Sequence, residues 1–136
     1  MIKLITGKKG TGKTKVLIGK INEAVKTTNG FLVCIEKGEN IRKEISYKVR
    51  WCDADYFAVN SYDSFYGFVA GMLAGNYDIK EIFVDGILKI AGPDLEELSI
   101  MLEKIDKLTG DETDVLLTLS VDDSEEIGRA SCRERV

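Results

Sequence analysis

The residues best suited to chemistry in this chain sit in one glycine-rich run, GKKGTGKT (residues 7–14), straight after the apolar stretch IKLIT. Gly7, Gly10 and Gly12 let the backbone take positive φ and approach an anion closely. Successive N–H groups then point inward, and the N-terminus of a following helix adds partial positive charge. Lys13 is placed to reach the β- and γ-phosphates of a nucleotide, and the Thr14 hydroxyl to ligate Mg²⁺. Lys8, Lys9 and Thr11 complete the loop, which fits G-x-x-x-x-G-K-[ST] at every fixed position.

A magnesium–phosphate site also needs a carboxylate at the end of a buried strand beside the loop. KEIFVDG supplies one, Asp85, after four apolar or strand-forming residues. Its plain alternative is an ordinary strand-end aspartate. The next residue is Gly86, where many ATPases carry a glutamate that polarises the attacking water. Either hydrolysis is weak or the base comes from elsewhere; Glu36, closing the run FLVCIE, falls at the carboxyl end of the next strand, the end where parallel sheets bind ligands. Its alternative is one more solvated loop charge, with Glu39 beside it.

The elements that must position these groups follow from periodicity. Residues 2–6 read as a buried strand, and Val16, Leu17, Ile21, Ala24 and Val25 give an amphipathic helix over 13–26. TTNG (27–30) ends it, with Gly30 as a left-handed cap or turn residue. Further strands are expected at 31–35, 56–60 (YFAVN), 81–85 and 114–121. Helices are expected at 61–75, with Ser61 as N-cap, and from Pro93 to Gly110. The segment 36–53 is charged and poorly periodic, and IRKEISYKVRW (41–51) within it reads as a short helix or an edge ribbon. The aromatic residues of 61–75 recur at helical spacing, which makes them core rather than a base-stacking platform. Strands alternating with helices predict an α/β fold: a three-layer parallel sheet of about five strands with helices on both faces.

Bulk properties narrow the function classes. A chain of 136 residues with 44% apolar residues and one proline is expected to form one domain. There is no histidine, which excludes imidazole acid–base catalysis and His-ligated zinc. Cys34, Cys52 and Cys132 show no CxxC spacing and read as structural thiols of a reducing compartment. No apolar run is long enough for a bilayer and no signal-peptide pattern opens the chain, so the expected location is the cytoplasm, without a membrane partner.

The last ten residues, IGRASCRERV (127–136), break from this pattern and resemble the translation of a sequencing adapter. They are set apart from the domain at 1–126, whose native C-terminus is then expected to be cut short. The tail's three arginines against Glu134 carry +2, so the body holds −6 of the chain's −4. An acidic body argues against binding along a nucleic-acid backbone.

With these residues in hand, the sequence resembles the RecA-like branch of P-loop NTPases, over about residues 2–122. The resemblance implies a P-loop core binding ATP and Mg²⁺, with Lys13 and Glu36 catalytic and Thr14 and Asp85 around the metal. Asp85 takes the Walker B place, and Ser120 or Asp122 a γ-phosphate sensor place. The chain also looks like small bacterial P-loop proteins that often carry the label twitching motility protein PilT. It lacks the larger N-terminal domain, the Asp-rich box and the His box of true pilus-retraction motors.

The expected function is an ATP·Mg²⁺-binding protein with weak or partner-coupled ATPase activity. A small-molecule or nucleoside kinase and a non-catalytic nucleotide-binding module stand beside it. Kinases of that kind close an arginine-bearing lid over the phosphates, and no arginine lies between Asp85 and Glu126. ATP is the default nucleotide, because no N-K-x-D base-recognition motif occurs. A protein partner or a homo-oligomer is compatible with the resemblance; Arg42 and Arg50 are the body's only candidates for an arginine offered to a neighbouring subunit, and solvated surface charges are their plainer reading.

Overall fold

The computed structural model describes residues 1–121 and the pair 134–135. The elements in chain order are β1 (Ile2–Gly7), α1 (Lys13–Thr27), β2 (Phe31–Glu36), β3 (Arg50–Asp53), α2 (Tyr62–Gly75), β4 (Ile79–Asp85), α3 (Ile87–Ala91), α4 (Leu95–Thr109), β5 (Asp114–Ser120) and β6 (Glu134–Arg135). They form one sheet in the order β3-β2-β4-β5-β1-β6, with every pairing parallel.

Period-two alternation along the strands sends side chains to two separate cores. Leu4, Val33, Ile35, Ile82, Val84, Leu117 and Leu119 pack against α2, α3 and α4 on one face. Ile5, Leu32, Cys34, Phe83 and Leu116 pack against Leu17 and Ile21 of α1 on the other. The α/β class, the parallel sheet and helices on both faces agree with the sequence expectation. The split also follows from topology. From β1 the chain crosses β5 and β4 to reach β2, carrying α1 over one face. From β3 to β4 and then β5 it travels back the other way. A right-handed crossover run in the reverse direction puts its helix on the opposite face.

Three expectations need correction. YFAVN is not a strand: the third strand is Arg50–Asp53, and residues 54–58 are a turn. Asp53 causes this, since its Oδ1 accepts from Gly38 N and Asp55 N while its carbonyl accepts from Tyr56 N and Phe57 N. That Asx-type turn outcompetes the strand propensity of YFAV, and Ala58 is left at φ 57. Gly30 is not a left-handed cap: α1 ends at Thr28 in extended geometry. Its glycine instead answers a close approach, because a Cβ there would lie 2.5 Å from the Asp78 carbonyl. The tail, which had no expected place in the fold, pairs Glu134 and Arg135 with Lys3 and Leu4 on the outer edge of β1.

The remaining expectations match closely. Ser61 caps α2 in a reciprocal capping box with Ser64. Asp94 caps α4 by accepting from Glu96 N and Glu97 N, with Pro93 just outside. α3 has no counterpart in the periodicity reading. Five residues are too few to display a helical period.

Candidate functional site

Because the strands are parallel and in register, Gly7 lies opposite Ser120, and Glu36 lies opposite both Asp85 and Asp53. The carboxyl ends of five strands therefore share one rim. The chain leaves β1 toward one face of the sheet and β4 toward the other, which opens a crevice above β5. Crevices at such reversals are where open α/β sheets bind ligands. A groove of about 380 Å³ occupies this place, lined by Lys9, Gly10 and Gly12 of the loop, by residues 13–15 at the start of α1, by Asp85, Gly86 and Lys89, and by Thr118 and Ser120.

The loop owes its shape to glycine. Gly10 and Gly12 sit at φ 84 and 88, the left-handed region that side chains disfavour. Gly12 caps α1 without a side-chain hydrogen bond. At Gly7, a Cβ would come within 2.8 Å of Thr11 Oγ1. The Thr11 hydroxyl donates to the Lys8 carbonyl at 2.7 Å, and Lys13 Nζ donates to the same carbonyl at 2.8 Å. Lys8, Lys9, Gly10, Thr11, Gly12, Lys13 and Thr14 thus form one compact bend between β1 and α1. Burial pushes the Lys13 ammonium below the ordinary lysine range; Asp85 opposes this shift and Lys89 adds to it.

Thr14 and Asp85, 71 residues apart, meet across the groove. The Thr14 hydroxyl lies 3.2 Å from Asp85 Oδ1 and 3.4 Å from Oδ2. Asp85 Oδ1 also accepts from the Thr118 hydroxyl at 2.9 Å, and Thr118 Oγ1 accepts from Gly86 N at 2.7 Å. Thr118 is 2% exposed, so this chain of bonds fixes the Asp85 carboxylate from beneath. A hydroxyl and a carboxylate at this separation are the oxygen donors that suit Mg²⁺, which binds proteins through one or two carboxylates and completes its shell with water and phosphate oxygens. Among the described residues, no cluster of three or more His, Cys, Asp or Glu offers a metal cage of protein ligands alone.

Glu36 does not join the groove. It is 1% exposed, and both oxygens are occupied. Oε1 accepts from Asn40 N at 3.1 Å, and Oε2 from Ile41 N at 2.9 Å and Trp51 Nε1 at 2.8 Å. A general base needs a free lone pair within reach of its proton donor. Here the carboxylate folds the 37–41 turn and ties it to β3. Ser120 does line the groove and is exposed, whereas Asp122 lies outside the described residues. Arg42 pairs with Glu39 and stacks over the Trp51 ring at 4.7 Å, and Arg50 lines an apolar cleft with Phe57 and Phe68. Neither arginine lines the groove.

Sequence reasoning missed Thr118 and Lys89. The first left a faint trace, a lone hydroxyl inside VLLTL; the second left none, because α3 itself was not recognised.

No helix among the described residues is long and apolar enough to cross a membrane. In comparisons with known proteins, no family model matches the chain and no curated protein matches it.

Proposed function

We propose that this chain is a nucleotide-binding protein of the P-loop, RecA-like kind, holding ATP with Mg²⁺ at the Gly7–Thr14 loop. The meeting of Thr14 with Asp85 carries the reading: two residues from separate segments, each required by the chemistry, lie 3.2 Å apart on one rim. In this reading the loop N–H groups and Lys13 bind the phosphates, while Thr14 and Asp85 hold the metal's shell. Bound there, Mg²⁺ would neutralise charge on the β- and γ-phosphate oxygens. Thr118 orients the Asp85 carboxylate, and Ser120 reaches the terminal phosphate. That β5, ending in Ser120, lies between the loop strand and the Asp85 strand supports the RecA-like assignment.

Hydrolysis by the isolated chain is weak in this reading, because the one carboxylate lining the groove among the described residues, Asp85, is committed to the metal side. A partner that supplies a base, or a change that frees Glu36, would raise it. The same observation favours the second reading, a binding module whose output is its nucleotide state. A kinase is disfavoured, because among the described residues no arginine lines the groove.

The test is titration calorimetry with ATP·Mg²⁺ alongside a phosphate-release assay. The wild-type chain is expected to bind ATP·Mg²⁺ and release phosphate slowly. Lys13→Ala is expected to weaken binding by about 100-fold, the loss of charge-assisted hydrogen bonds to phosphate. Unchanged affinity in Lys13→Ala would remove the basis of the proposal.

A further inference from the structure

Lys89 stands on the far wall of the groove from α1. Three features of the sequence put it there. Gly86, at φ 75, turns the chain so that α3 starts directly beside Asp85. Ile87, Ile90 and Ala91 are buried on the underside of α3, while Tyr62 Oη donates to Gly92 O at 2.7 Å and holds the end of the turn. Lys89 is left on the exposed side, with its aliphatic stem lying back over Gly86. A Cβ at Gly86 would lie 3.5 Å from Lys89 Cδ and 3.8 Å from its Cβ and Cγ. The Lys89 stem thus lies within ordinary contact distance of Gly86, the position where a water-polarising glutamate was sought and where the positive φ favours glycine.

The charge pattern follows from that geometry. Lys9, Lys13 and Lys15 approach from the loop and α1, and Lys89 from the opposite wall, around Asp85, the single carboxylate of the lining among the described residues. The four lysines around a groove of about 380 Å³ repel one another, and Asp85 offsets only part of that repulsion. A polyanion relieves the repulsion. Its outermost charge would fall on the Asp85 side, because the loop backbone would cradle the inner phosphates, and Mg²⁺ held by Thr14 and Asp85 would supply positive charge to the outer ones.

We infer that Lys89 is a second cation for the terminal phosphate of a bound nucleoside triphosphate, facing Lys13 across it. The inference rests on the nucleotide reading above and deepens it. Lys89 would supply within one chain the positive charge that an arginine lid or a neighbouring subunit would otherwise bring, and would make the site discriminate triphosphate from diphosphate.

The experiment compares ATP·Mg²⁺ and ADP·Mg²⁺ affinities by calorimetry for wild type, Lys89→Met, Lys89→Arg and Lys13→Ala. Circular dichroism checks that each variant is folded, which the exposure of Lys89 favours. Lys89→Met is expected to weaken ATP about tenfold and ADP less than twofold, and Lys89→Arg to restore most of the loss. An unchanged ATP-to-ADP ratio in Lys89→Met, with wild type binding and Lys13→Ala not, overturns the Lys89 role alone. Failure of wild type to bind either nucleotide overturns both this inference and the nucleotide reading beneath it.

Discussion

At the residue scale, a buried carboxylate takes its role from the donors it meets. Asp85 and Glu36 stand opposite each other on adjacent strands, yet they perform different tasks. Asp85 accepts two hydroxyl bonds and keeps an open side toward the groove; Glu36 is filled by two backbone N–H groups and an indole. Glu36→Gln keeps the shape but removes the charge and misplaces a donor against N–H groups. It is expected to lower the unfolding free energy by about 1–3 kcal/mol, measured by urea titration. Phosphate release per folded molecule should stay the same. A selective loss of turnover at unchanged stability would return Glu36 to the catalytic list and refute its structural role.

At the element scale, the short connections decide how the strands present their ends. The turn between α1 and β2 passes so close to the start of β4 that Gly30 has the Asp78 carbonyl and the Lys80 stem against its missing side chain. Phe31 N donates to the same Asp78 carbonyl at 2.8 Å, so the backbone cannot simply swing away. Gly30→Ala is therefore expected to cost about 1–3 kcal/mol, as overpacking does, and to lower the melting temperature. Gly19→Ala, with nothing within 4 Å of its Cβ, is the control and should stabilise slightly through helix propensity. Similar stabilities for the two variants would refute the close-approach account. β3 shows the same dependence on connections, since the Asp53 turn stops the strand before YFAVN begins.

At the scale of the whole molecule, burial on both faces of the sheet sets the response to alkali. Cys34 lies in the α1-side core, and burial, with the nearby Glu36 and Asp85 charges, pushes its thiol up to about 12. Burial likewise raises Cys52 and Tyr62. In the unfolded chain these groups ionise at ordinary values, so between about pH 9 and 12 the unfolded state loses protons that the folded state retains. Stability is then full below pH 9 and falls as pH rises. Urea titrations at pH 8 and pH 10 should show that fall, and Cys34→Ala should reduce its size. A pH-independent stability across this range would contradict the burial argument.

What the sequence determined alone was local chemistry and local periodicity. The loop motif, the strand-ending Asp85, the Ser61 cap and the long amphipathic helices were legible because each depends on residues within a few positions of one another. α3 was not legible, and β3 only as one of two options for 41–51, an edge ribbon or a short helix, because elements of five and four residues are stabilised by partners elsewhere in the chain. Only the tertiary structure decided which carboxylate faces the groove, because the identity of the groups opposite Glu36 and Asp85 depends on strand order and register. Strand order also brought Thr118 beneath Asp85 and Lys89 into the same groove as Lys13, juxtapositions of residues separated by dozens of positions that no local pattern encodes.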